Sequence, residues 1–282
     1  MSKFAIVTDS TSGIPDDVLS QYDIRVAPQV LIWGDETFQD GVDITPTQFY
    51  QRLAKSTVNP TTSQVTPSSF LKIFQELQAE GKDALAILVS TKLSGTVPSA
   101  NQAMELMPGV RVEIVDSNTI AMALGFVVLA AARAAAQGAS LEECKAVADK
   151  ARTITGVVFA VDTLEFLHRG GRIGGGSRFL GTALNIKPIL EIAGGRVEAV
   201  ERVRTRRKSL SRLVELIEER VAGRSPLRLA TLHANAPEDA KALLDEAAAR
   251  LGAVESIFSE VSPVIGTHAG PGTVGLAFMA GL

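Results

Sequence analysis

The sequence predicts an α/β protein of two lobes, an N-terminal one with a mainly parallel sheet and flanking helices and a C-terminal mixed α/β one. Three observations carry this. Short apolar runs alternate with helical patterns through the first 155 residues. The run Ala84-Leu85-Ala86-Ile87-Leu88-Val89 is apolar at every position, the pattern of a parallel strand buried on both faces. Beyond residue 156, a hairpin pattern centred on Gly194-Gly195 precedes further alternating strands and helices.

In chain order, a strand over 3–8 ends in Asp9-Ser10-Thr11-Ser12-Gly13, and Pro15 opens a short helix to about Tyr22. Residues 24–33 form a second strand region. Thr45-Pro46 starts a helix through Ala54. The proline-bounded stretch 59–67 is expected to be a polar loop. A helix to about Glu80 leads into the 84–89 strand. The next helix begins between Gly95 and Pro98, because proline fits only near a helix start. A strand over 110–115 ends at Asp116-Ser117, and helices follow over about 120–137 and 140–154. The second lobe, 156–282, starts with a strand at 156–161. The glycine-rich loop 170–176, the hairpin 186–193 with 196–204, and a helix over 207–221 come next. Strand 227–232, helix 237–251 and strand 254–260 follow. Gly266 to Pro271 reads as a glycine-rich loop holding His268.

Composition narrows the function. A net charge of -3 argues against a general nucleic-acid binder. Cys144 is the one cysteine, so a disulfide framework or cysteine zinc site within the chain is excluded, which suits the cytoplasm. It reads as a packed thiol. No secretory leader is expected, since the chain goes straight into a strand. The apolar stretch 120–136 is interrupted by Arg133 and is shorter than the ~20 residues a membrane span needs, so a buried helix is expected.

Residues 90–100, STKLSGTVPSA, join a buried strand to a helix start. Free backbone N–H groups and the positive end of the helix dipole converge there. Ser94 and Thr96 add hydroxyls, and Gly95 admits close approach. Two readings fit Ser94: a helix cap, or a ligand for an anion. His268 is equally open between a structural loop residue and a donor to a carboxylate. His168 and His233 read as structural. GGRIGGG at 170–176 lacks the lysine spacing of a phosphate loop. Five cations fall in the seven residues 202–208, and Arg169 and Arg172 lie by the glycine loop. They form either a solvated face or a dock for an acidic or phosphorylated partner.

Eight stretches occur together in one order: TDSTS at 8–12, PTTSQ at 60–64, LSGT at 93–96, VDS at 115–117, LEFLHRGGRIG at 164–174, LNIKPIL at 184–190, RTRRK at 204–208 and HAGPGTVG at 268–275. In this the chain resembles the DegV family of bacterial fatty-acid-binding proteins, over 3–281. The resemblance implies a lipid tunnel between and within the lobes, and a bound long-chain acid such as palmitate. It implies that Thr62 and Ser94 hold the carboxylate, with Gly95 and Thr96 beside them and His268 near. It also implies a role in lipid transport or fatty acid metabolism, presenting the acid to a fatty acid kinase that makes acyl phosphate. Arg169, Arg172, Arg204 and Arg206 are then candidates for the kinase-docking face. No cofactor or metal is implied, and membrane contact would be transient and superficial. This chain has His168 where lysine is common, Val65 where proline is common, and Ala121 and Ala123 where serine and glycine are common. The other reading is an enzyme on an anionic substrate, either phosphoryl transfer through His268 or an esterase through Ser94.

Overall fold

The computed structural model describes residues 3–107, 109–181 and 186–282. Leu184 and Asn185 of the LNIKPIL stretch lie outside the described residues.

Strand β1 (Phe4–Asp9) is followed by a 3-10 turn at Ser10–Ser12, α1 (Asp16–Gln21) and β2 (Arg25–Ala27). Pro28 then interrupts the chain, since proline has no N–H for a ladder. What reads as one strand region over 24–33 is therefore two strands. The second, β3 (Val30–Trp33), turns back through β4 (Glu36–Gln39). Helix α2 (Pro46–Leu53) starts on a capping box of Thr45 and Gln48. Residues expected to be loop instead form β5 (Thr61–Ser63), antiparallel to β3 with Thr62 opposite Leu31. Three residues are too few for alternation to show in the sequence, and β3 supplies the missing backbone partners.

The chain continues through α3 (Pro67–Ala79), β6 (Asp83–Leu88), α4 (Thr96–Glu105), β7 (Val112–Asp116), α5 (Ala121–Ala136) and α6 (Leu141–Ala151). Then come β8 (Thr155–Ala160), α7 (Glu165–Arg169), a 3-10 turn at Gly174–Phe179, β9 (Lys187–Ala193) and β10 (Arg196–Val203). The last elements are α8 (Arg206–Val221), β11 (Leu227–His233), α9 (Pro237–Leu251), β12 (Glu255–Ile257), α10 (Pro263–Ala269) and β13 (Val274–Ala280). The β9–β10 turn is Gly194-Gly195 with φ of 57° and 81°, as a two-residue hairpin requires. His268 lies on the last turn of α10, not in a loop; Ser262-Pro263 is a helix start that the surrounding glycines obscure.

Among the described residues there are three sheets. One is all parallel, in the order β2-β1-β6-β7. A six-stranded mixed sheet runs β10-β9-β8-β13-β11-β12, and a small antiparallel one runs β4-β3-β5.

Helix α5 explains how the two large sheets meet. Twelve of its sixteen residues are buried, on every face. A helix apolar all round must be covered all round. In β6, Leu85 and Ile87 join the core that contains α5, while Ala84, Ala86 and Leu88 pack with α3 and α4. In β8, Val157 and Phe159 share the α5 core, while Val158 and Ala160 pack with α8 and α9. Buried residues of α6 share the α5 core, so the layers are helices, sheet, α5 with α6, sheet, helices. Truncating Phe126, fully buried in α5, is expected to cost about 3–5 kcal/mol. Chemical denaturation of Phe126→Ala checks this; a loss below about 1 kcal/mol would contradict the central place given to α5.

Candidate functional site

Parallel sheets leave a crevice at the carboxyl ends of their strands. Here the ends of β1 and β6, the 3-10 turn after β1, the start of α5 and the end of α10 surround a cavity. It encloses about 800 Å³ including its mouth. Most of the wall is apolar: Val89, Leu93 and Ile120 on one side, Val157, Phe159, Leu232 and Ile265 on another, with Ile192 and Val197 from the β9–β10 hairpin. Ser90 Oγ donates to the carbonyl of Gly195 at 2.7 Å, which ties the hairpin tip to the end of β6.

The polar groups gather at one end. Thr62 Oγ1 lies 2.7 Å from His268 Nε2, bringing together residues 206 positions apart. Both line the cavity, as do Ser94, Gln64 and Arg172. Thr62, Arg172 and His268 also line a smaller outer cleft, together with Thr61, Phe166 and Arg169. The polar end is thus a partition between an apolar interior and the surface.

Ser94 is not a helix cap. The α4 N-cap is Gly95, and it receives no side-chain cap bond. Ser94 Oγ instead meets Thr96 Oγ1 at 2.9 Å, and Gln29 Nε2 donates to Thr96 Oγ1 at 2.9 Å. Gly95 and Thr96 do not line the cavity; Thr96 is buried and bonds Ser94. A Cβ on Gly95 would come within 3.2 Å of Gln64 Cδ, so glycine permits close packing there.

Arg172 turns inward. Its Nε donates to the Leu93 carbonyl at 3.1 Å and its Nη1 to Gly170 O at 2.8 Å. Burial, then the nearby Arg172 charge, pushes the His268 imidazole down to about 4. The ring is therefore neutral at neutral pH, and its buried Nδ1 has no hydrogen-bond partner among the described residues. Arg169 is exposed in the outer cleft and bonds Asn59 and Glu165. Arg204 is exposed on the surface just before α8. Arg206 pairs with Asp239 at 2.8 Å and Asp162 at 3.7 Å. Neither Arg204 nor Arg206 lines the cavity.

Two further residues belong to the site. Gln29 is buried and lines the cavity, and Thr11 lies beside it. An isolated glutamine inside the apolar run 24–33 was the available signal. Asp9 is fully buried and accepts from Val89 N, Thr11 N and Thr11 Oγ1. Burial raises its carboxyl above the ordinary value, and these bonds oppose that rise. Ala121 lines the cavity with φ of 55°, a left-handed conformation costing a non-glycine residue about 1–2 kcal/mol.

Chemically, the polar end offers hydroxyls, an amide and an arginine to an anion. The imidazole is bonded to Thr62, and Ser94 to Thr96; among the described residues Ser94 and His268 are not hydrogen-bonded to each other. Among the described residues, no group of three His, Cys, Asp or Glu side chains could hold a metal ion. No helix there is long and apolar enough to cross a membrane.

Gly170 is held to glycine by space, since a Cβ would sit 2.0 Å from His268 Nδ1. Gly170→Ala is expected to push the ring outward and raise its pKa from about 4 towards the ordinary value. NMR titration of both proteins checks this; identical His268 titrations would contradict the packing described.

A family profile described as "Uncharacterised protein, DegV family" matches residues 3–281. A DegV domain-containing protein of Streptomyces coelicolor is 40% identical over 275 residues, 96% of each chain. A structure describing fatty acid binding of a DegV family protein from Thermus thermophilus superposes with a TM-score of 0.93 at 37% identity, covering 99% of each chain. That of DegV from Bacillus subtilis, described as a fatty acid binding protein, gives 0.91 at 32% identity, covering 99% of this chain and 100% of the other. With a profile that spans nearly every residue and relatives matched end to end, the chain belongs to the DegV family.

Proposed function

We propose that this protein is a non-catalytic carrier of a long-chain fatty acid such as palmitate. Thr62 and Ser94 hold the carboxylate with His268 beside them, and Arg172 supplies positive charge. The tail lies in the apolar cavity. One observation carries the reading: an apolar cavity whose polar groups collect at a single end, next to the surface. That is the polarity of an amphipathic anion. The solved relatives described as binding fatty acid support it.

The energetics favour the tail as the source of affinity. Each buried CH₂ contributes roughly 0.8 kcal/mol, so about 14 methylenes offer about 11 kcal/mol before the costs of association. Hydroxyl contacts contribute about 0.5–1.5 kcal/mol each and mainly fix orientation. Catalysis by Ser94 is the weaker reading, since its hydroxyl bonds Thr96 and not a base.

Protein purified from its host is expected to carry fatty acid, detected by mass spectrometry after denaturation. Thr62→Val with Ser94→Ala should weaken palmitate binding about tenfold, the worth of one to two hydrogen bonds. Lipid-free protein that also ignores added palmitate would sink the proposal.

The finer reading is a cytoplasmic protein of two lobes, 1–155 and 156–282, that presents its acid to a fatty acid kinase. The outer cleft supports it, because Arg169 there adjoins Thr62 and His268. Arg204 and Arg206 would extend the docking face. Incubating the loaded protein with a fatty acid kinase and ATP should yield acyl phosphate, and Arg169→Ala should slow this several-fold. No acyl phosphate from any loaded acid would leave a carrier without that partner.

A further inference from the structure

Asp40 does not line the cavity, yet both halves of its polar end lead back to it. Asp40 is 2% exposed. Oδ1 accepts from Val264 N at 3.1 Å, in the first turn of α10, the helix that carries His268 on its last turn. Oδ2 accepts from Ser10 Oγ at 2.6 Å. Ser10 Oγ in turn accepts from Gln29 N at 3.0 Å, and Asp40 N donates to Gln29 O at 2.9 Å. Asp40, Ser10 and Gln29 therefore close a hydrogen-bonded ring. From it the Gln29 side chain reaches Thr96, and Thr96 reaches Ser94.

A carboxylate this buried is costly unless its bonds use both oxygens. Burial pushes it up to about 6, so it is mostly ionised at neutral pH. An ionised carboxylate accepts at both oxygens, whereas the amide of an asparagine accepts at one.

We propose that Asp40 is a positioning residue for the carboxylate grip, setting the hydroxyl arm of Ser94 and Thr96 against the imidazole arm of His268. The proposal rests on the fatty-acid reading given above. Asp40 touches neither carboxylate nor tail. It acts through Gln29 on one side and through the start of α10 on the other. The two arms come from elements about 170 residues apart in sequence, and this bonded path joins them.

The test compares palmitate with hexadecanol on delipidated full-length protein by calorimetry. The two ligands share a tail and differ in head group, so loss of the cavity weakens both and leaves their ratio unchanged. Misplaced polar arms weaken palmitate alone. Asp40→Asn keeps an oxygen for Val264 N and loses the acceptor for Ser10 Oγ. It is expected to lower the palmitate-to-hexadecanol ratio about five- to thirtyfold, the worth of one or two hydrogen bonds. Ser10→Ala removes the side-chain link of the same path and should lower the ratio in the same direction, which decides the matter if Asp40→Asn does not fold. A wild-type preference for palmitate that both variants retain overturns the role of Asp40 and leaves the carrier reading intact. A wild type that prefers neither ligand overturns the head-group site and this role with it.

Discussion

The structure depends on covering one helix. Residues 121–132 of α5 offer no polar face to water, so a sheet must lie on either side. The sheets do so with strands that alternate their side chains between α5 and an outer helical layer. The same demand explains why β6 and β13 are apolar at nearly every position: each strand is buried on both faces. The cavity opens where this packing ends, at the first residue of α5, and Ala121 is held there in a left-handed conformation. Strain of this kind persists only where surrounding structure over-determines it.

The polar end obeys a second rule, that buried polar groups need partners. Asp9 is saturated by the turn that follows it and by the end of β6. Gln29 bridges Asp9 and Thr96. These bonds occupy the groups behind the wall and hold the groups on it. Ser94 is released from capping because α4 begins one residue too late for it. Gly170 gives the His268 ring its room, so a glycine-rich stretch that resembles a phosphate cradle serves a packing purpose at that position.

Charge is divided in the same way. Arg172 and Arg169 are three residues apart, yet one bonds backbone carbonyls at the cavity and the other lies exposed in the cleft outside it. A run of cations in the sequence does not tell which member turns inward. That depends on where α7 ends and which carbonyls are left without partners.

The sequence by itself determined the α/β class, the glycine hairpin, the buried α5 and the family, because periodicity, turn chemistry and ordered motifs are local properties. It also singled out Thr62, Ser94 and His268 through motifs. It did not show β5 or α10, whose short lengths carry no readable period and whose backbone partners lie elsewhere in the chain. Only the tertiary structure decided that Thr62 meets His268, that Ser94 faces a cavity instead of capping a helix, and that Gln29 and Asp40 are bonded into the same polar network. The physical reason is that these contacts join residues up to about two hundred positions apart, and hydrogen-bond geometry at that range is set by how the sheets close over α5.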